Sequence, residues 1–425
     1  MIIKAAQDAG LLKNYKVRIP DDLSSVTTID HAGEGSAAKA GLRPEDVEAI
    51  WAAVQDLYRS RAYPGIAFCL RRRGELLLNR TIGHARGNGP WDVGNAPKQV
   101  MALDTPICLF SASKAVTAVL VHKLAEEGGL DLEQRVSHYI PAFGQHGKKD
   151  TTVAEVLAHR GGFPQIKVPR AERRTEVLLD WPGVIDRICR APPTHPRRMA
   201  YHAISGGFIL AELIQRVTGA SVQAYLDSRF REPLGLRHFT FGVPQEQRER
   251  VALNYVAGQP VRFPLSAIIE KVLIVPFEQV VESSNSTAFM DAVIPAGNLY
   301  ATAEELGRFF QMMLDDGCWE GRRLLKHETL KRAVKPKWRL ALDGSLMIPM
   351  RYSEGMMLGA NPAGLYGPMT RHAYGHLGFM SILGWADPDR QISCSLLTTG
   401  KALLGTHLIS LGRLLAAISD RCAQR

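Results

Sequence analysis

The chain has 425 residues, enough for one two-lobed enzyme or two to three ordinary domains, and its 46% hydrophobic and 22% charged residues are the balance of a globular protein. The formal net charge is +10, yet the basic residues are scattered, clustering only at Arg71-Arg72-Arg73 and from Arg170 to Arg174. No basic stripe interleaved with aromatics marks a nucleic-acid surface.

Residues 1 to 42 are mixed and polar and read as an N-terminal extension laid on the surface. No apolar h-region follows Met1 and no stretch approaches the roughly eighteen apolar residues of a membrane span, so the expected compartment is the cytoplasm. A helix starts at Pro44, a good first helical residue, and carries Val47, Ile50, Trp51, Val54, Leu57 and Tyr58 on one face. Gly65 to Leu70 and Glu75 to Ile82 are β-prone runs around Arg71-Arg72-Arg73-Gly74, which predicts a hairpin.

After residue 110 the pattern turns mainly helical. Ala115 to Leu124 reads as a buried helix stopping at Gly128-Gly129, Thr152-Val153-Ala154-Glu155 is a capping box, and Ile209, Leu210, Leu213, Ile214 and Val217 share a helix face that ends at Gly219. Thr302-Ala303-Glu304-Glu305 is a second capping box. Strands return from Gly378 to Ala386 and from Ile392 to Thr398 around a turn at Asp387 to Arg390, and an amphipathic helix from Leu403 to Ile418 closes the chain. Strands at both ends with helices between them predict an α+β fold. Its antiparallel sheet is built from residues 43–110 and 290–425, and residues 111–289 form an inserted helical lobe with the active site between the two.

Ser111-Ala112-Ser113-Lys114 offers a hydroxyl and an amine one helical turn apart. Serine three residues before lysine is common in helices, usually as a cap beside a solvated amine. Here the flanks Ile107-Cys108-Leu109-Phe110 and Ala115 to Val121 are apolar, so Lys114 enters a buried element where an unpaired charge is costly. A desolvated lysine gives up its charge, which makes Lys114 a base for a Ser111 nucleophile.

Other chemistries find less in the sequence. No G-x-S-x-G is present. The six cysteines, Cys69, Cys108, Cys189, Cys318, Cys394 and Cys422, have no CxxC or metal-type spacing, and Gly375 argues against a helix that would aim His372 and His376 at one ion. The expectation is therefore a protein with no metal and no cofactor.

With Tyr201-His202-Ala203 and Gly375-His376-Leu377-Gly378-Phe379 following in order, the chain resembles the serine β-lactamase and penicillin-binding-protein superfamily, in its class C-like branch with the family VIII carboxylesterases. Leu157-Ala158-His159-Arg160-Gly161-Gly162 and Pro295-Ala296-Gly297-Asn298 support the resemblance. It implies that Ser111 attacks an acyl carbonyl, that Lys114 is the neighbouring base and that Tyr201 shares the proton transfers. It further implies that the Ser111 and Phe379 N–H groups form the oxyanion hole on an edge strand, with His376, Leu377, Gly378 and His202 as substrate contacts. His376 stands where a lysine is common in β-lactamases and Ala203 where many carry asparagine, departures that suit a carboxylesterase acting on small to medium acyl esters. The alternatives on the same scaffold are a β-lactamase, a D-amino-acid peptidase or amidase, an acyltransferase, or an acylated sensor without turnover. The partner expected is a small-molecule ester, with no nucleic acid and no membrane span; oligomeric state is not legible.

Overall fold

A computed structural model describes residues 15–92, 97–194, 198–379 and 381–423. Its centre is an eight-stranded antiparallel sheet drawn from both ends of the chain. The strands are β1 (Thr27–Ile29), β2 (Gly65–Arg72), β3 (Glu75–Arg86), β4 (Gln99–Val100), β5 (Met357–Leu358), β6 (Tyr374–Gly378), β7 (Ile382–Asp387) and β8 (Ile392–Thr398). Their order is β1-β3-β2-β8-β7-β6-β5, with β4 pairing β3. The join between chain ends is β2 against β8, in register from Arg72 opposite Ile392 to Ile66 opposite Thr398.

Alternation along β2 explains why both faces of this sheet are covered. Ala67 and Cys69 belong to one core, whereas Ile66, Phe68 and Leu70 belong to the other. The second core is closed by α1 (Pro44–Arg59) and α8 (His407–Arg421), which pack on each other. The first takes in α2 (Ser113–Glu126), α5 (Ser205–Thr218) and α7 (Ala303–Leu314), together with α3 (Val153–Leu157) and α4 (Trp181–Arg190), while α6 (Leu265–Leu273) is one of several further short helices and buries none of its residues. Both predicted capping boxes form: Thr152 accepts from the Glu155 N–H at 3.2 Å and Thr302 from the Glu305 N–H at 3.1 Å.

Three expectations need adjustment. The segment before residue 43 does more than lie on the surface, because β1 pairs β3 from Thr27 opposite Ile82 to Ile29 opposite Arg80, and Leu23 and Val26 enter the core. The run from Gly378 to Ala386 is two strands, since Gly378 pairs Ile382 across a tight hairpin. The closing helix runs from His407 to Arg421, later than the expected Leu403 to Ile418.

Candidate active site

Ser111 sits in a short 3-10 turn, Phe110–Ala112, that feeds directly into α2. Ser113, two residues on, cannot serve as nucleophile, because it is fully buried and its Oγ donates to the Phe110 carbonyl at 2.5 Å while accepting from the Leu299 N–H at 3.0 Å. This pair of hydrogen bonds ties the turn to the strand Leu299–Ala301 and leaves the partly exposed Ser111 presented. Phe110 takes a φ of 45°, a conformation disfavoured for any residue with a Cβ.

Lys114 Nζ lies 3.0 Å from Ser111 Oγ and 2.8 Å from the Ala296 carbonyl. No carboxylate pairs with it among the described residues, and burial holds its amine well below the usual lysine range. Its Nζ also stands 5.0 Å from the centroid of the Tyr201 ring.

Tyr201 lies in the loop before α5, and burial pushes its phenol well above its ordinary value; nearby Ser111 offsets this in part, while the charge of Asp343 adds to it. Its hydroxyl is buried with no well-aligned hydrogen-bond partner among the described residues. The phenol is therefore a neutral proton donor at ordinary pH rather than a phenolate.

The backbone of this loop is held by a residue the sequence did not single out. Asp343, fully buried, accepts from the Tyr201 N–H at 3.1 Å, from the Ser345 and Leu346 N–H groups at 2.8 Å each, and from the Tyr352 hydroxyl at 3.2 Å. Tyr352 in turn stacks parallel to Tyr201 at 6.4 Å. Nothing local in Asp343-Gly344-Ser345 signals this, since its partner lies 142 positions away.

Strand β6 passes beside the serine turn. A Cβ on Gly378 would fall 2.1 Å from the Leu109 carbonyl oxygen and 3.2 Å from the Ala112 nitrogen, so only glycine allows this approach. Phe379 follows with a φ of 36°, and its ring stacks on Phe110 at 4.8 Å and on Phe277 at 5.0 Å. The two left-handed phenylalanines thus brace each other across the site. Strand β6 is not itself the sheet edge: β5 pairs Tyr374 and Gly375, and His376 to Gly378 continue past it.

Of the expected substrate contacts, His202 lies behind the Tyr201 loop and His376 lies beside the Tyr201 ring at 6.1 Å. His202 is fully buried, its ring Nε2 accepting from the Phe163 N–H at 3.2 Å while its backbone N–H donates to His159 Nδ1 at 3.2 Å; burial drives its pKa down to about 3. It braces the Tyr201 loop from behind, and its neighbours Ala203 and Ile204 line the cavity instead. His376 donates Nδ1–H to the Leu377 carbonyl at 2.8 Å, and burial foremost, with the Lys114 side chain nearby, brings it down to about 3. The ring is neutral, with a buried Nε2 lone pair that meets no partner among the described residues. Leu377 stays partly exposed, against the cluster that contains Tyr201, Ala203 and Tyr352.

Ser111 opens into a cavity of about 70 Å³ whose apolar lining includes Phe110, Leu178, Ile204, Leu273, Val280 and Phe379. The beta-lactamase family matches residues 50–411. The chain belongs to that family. It is 26% identical over 358 residues to the esterase/beta-lactamase LipL of Mycobacterium tuberculosis, covering 81% of this chain and 79% of the relative. A penicillin-binding-protein homologue from Caulobacter crescentus superposes with a TM-score of 0.73 at 25% identity, over 89% of this chain and 98% of the other. A family VIII carboxylesterase gives a TM-score of 0.73 at 24% identity, over 89% and 97%, a likeness of fold. Membership makes the chain a serine hydrolase of the β-lactamase and penicillin-binding-protein superfamily. Among the described residues no helix is long and apolar enough to cross a membrane.

Proposed function

We propose that the protein is a carboxylesterase for small to medium acyl esters, working through an acyl-enzyme on Ser111. The observation that carries this reading is the 3.0 Å contact between Ser111 Oγ and a Lys114 amine that burial keeps from its usual charge. Lys114 takes the hydroxyl proton as Ser111 Oγ attacks the carbonyl carbon. In this reading the tetrahedral oxyanion is held by the N–H groups of Ser111 and Phe379, a role supported by the close approach of Gly378 to the serine turn at Leu109 and Ala112. Collapse breaks the ester C–O bond, and the departing alkoxide receives a proton from the neutral Tyr201 phenol, which Lys114 restores. Water then repeats the sequence in reverse roles and releases the acid.

The ester preference rests on what surrounds this centre. His376 is neutral and Ala203 carries no amide, so the groups flanking Tyr201 and Phe379 offer little to an anionic, amide-bearing β-lactam. A cavity of about 70 Å³ is half the roughly 150 Å³ void that takes up benzene in an engineered core, and suits a short acyl chain. Arg351, the guanidinium nearest in sequence to β5, is tied to the Gly359 and Arg371 carbonyls. On one preparation, kcat/KM for p-nitrophenyl butyrate should exceed that for nitrocefin by at least about a hundredfold, the equivalent of one missing charged contact at about 3 kcal/mol. Comparable values would withdraw the esterase reading in favour of a β-lactamase.

A further inference from the structure

The cluster from Arg170 to Arg174 takes no part in the acyl chemistry, yet the fold brings one of its members to the nucleophile. Arg174 lines the same cavity as Ser111, beside Thr175 and Leu178. Its neighbours are already paired: Arg173 Nη1 meets Glu270 at 3.2 Å, and Glu172 meets Arg187 at 2.6 Å. Arg174 itself is exposed and has no ion pair among the described residues. Apart from it the lining has no charged side chain, and Lys114 stands behind Ser111 outside that lining.

A guanidinium at the rim of an apolar cavity, with no carboxylate of its own, is a receptor for an anion. Its planar fork matches a carboxylate in a bidentate pair, and the side chains beneath it accept methylenes. We propose that Arg174 is a specificity-determining residue that binds a carboxylate at the far end of the acyl chain, so that the preferred substrates are half-esters of dicarboxylic acids. This rests on the esterase reading: the ester carbonyl meets Ser111, the methylenes lie along Leu178, Leu273 and Val280, and the terminal carboxylate reaches Arg174.

The test compares monomethyl succinate, glutarate and adipate with methyl butyrate, valerate and hexanoate, each pair matched in chain length, by release of methanol. The wild type should favour at least one half-ester over its neutral partner by about ten-fold in kcat/KM, mainly through KM. Arg174→Gln should abolish that preference while leaving the neutral esters within about two-fold, and Arg174→Lys should restore part of it. Added salt should erode the preference in the wild type and leave Arg174→Gln unchanged. Turnover of neutral esters with no preference for any half-ester, or a preference that survives Arg174→Gln, overturns the role of Arg174 and leaves the esterase reading standing. If the wild type turns over none of the six compounds, both fall together.

Discussion

Groups with unspent hydrogen-bonding capacity gather around Ser111 and Tyr201: the Lys114 amine 3.0 Å from Ser111 Oγ, the Tyr201 hydroxyl, and the Nε2 of His376, whose ring lies 6.1 Å from that of Tyr201. Buried polar atoms are ordinarily satisfied, so such a concentration marks a place built for chemistry rather than stability. The two proton carriers are shifted in opposite directions by the same cause. Burial lowers the Lys114 amine, because it penalises the ammonium, and raises the Tyr201 phenol, because it penalises the phenolate. The sign of the pH dependence follows. Activity should climb as pH rises through the depressed Lys114 value, well below the ordinary lysine range, and Tyr201 should stay protonated across that rise. Since the two act as one proton path, Lys114→Ala, Tyr201→Phe and the double variant should lose comparable activity. A double loss equal to the product of the single losses would separate them and return Tyr201 to a structural role.

The elements that carry these residues were unequally legible in the sequence. The 3-10 turn and α2 join Ser111 to Lys114 locally, so their geometry follows from a spacing of three residues and an apolar helix. The hairpin between β6 and β7 was read through as one strand, because Phe379-Met380-Ser381 holds no glycine or proline to mark a turn. The structure makes that turn with a left-handed Phe379, stabilised by its stack on Phe110 and Phe277, partners far away in sequence. Gly378 belongs to this scale as well, since its missing side chain sets the separation between β6 and the serine turn. Gly378→Ala places a methyl against the Leu109 carbonyl, so kcat/KM should fall by about a hundredfold, the loss typical of one oxyanion donor. Far-ultraviolet circular dichroism should meanwhile keep its wild-type form. Unchanged turnover would mean that β6 does not supply the second donor.

Across the whole molecule, the pairing of β2 with β8 makes the two chain ends one sheet, and the helical part packs on the face where Ser111 emerges. That plan was readable from strands at the ends and helices between. The long-range supports were not. Asp343 reaches Tyr201 from 142 positions away, and Arg174 joins the Ser111 cavity although its cluster carries no catalytic or binding motif in the sequence. Such residues carry no periodicity or motif, and their partners exist only once the chain is folded. The central claim concerns one atom, Ser111 Oγ, and intact-mass spectrometry after brief exposure to a fluorophosphonate tests it most directly. The account predicts a single adduct that maps to the Ser111 peptide and is absent from Ser111→Ala, a variant that loses at most a cap worth about 1 kcal/mol, still folds and no longer hydrolyses esters. An adduct on another residue, or ester turnover retained by Ser111→Ala, would contradict it.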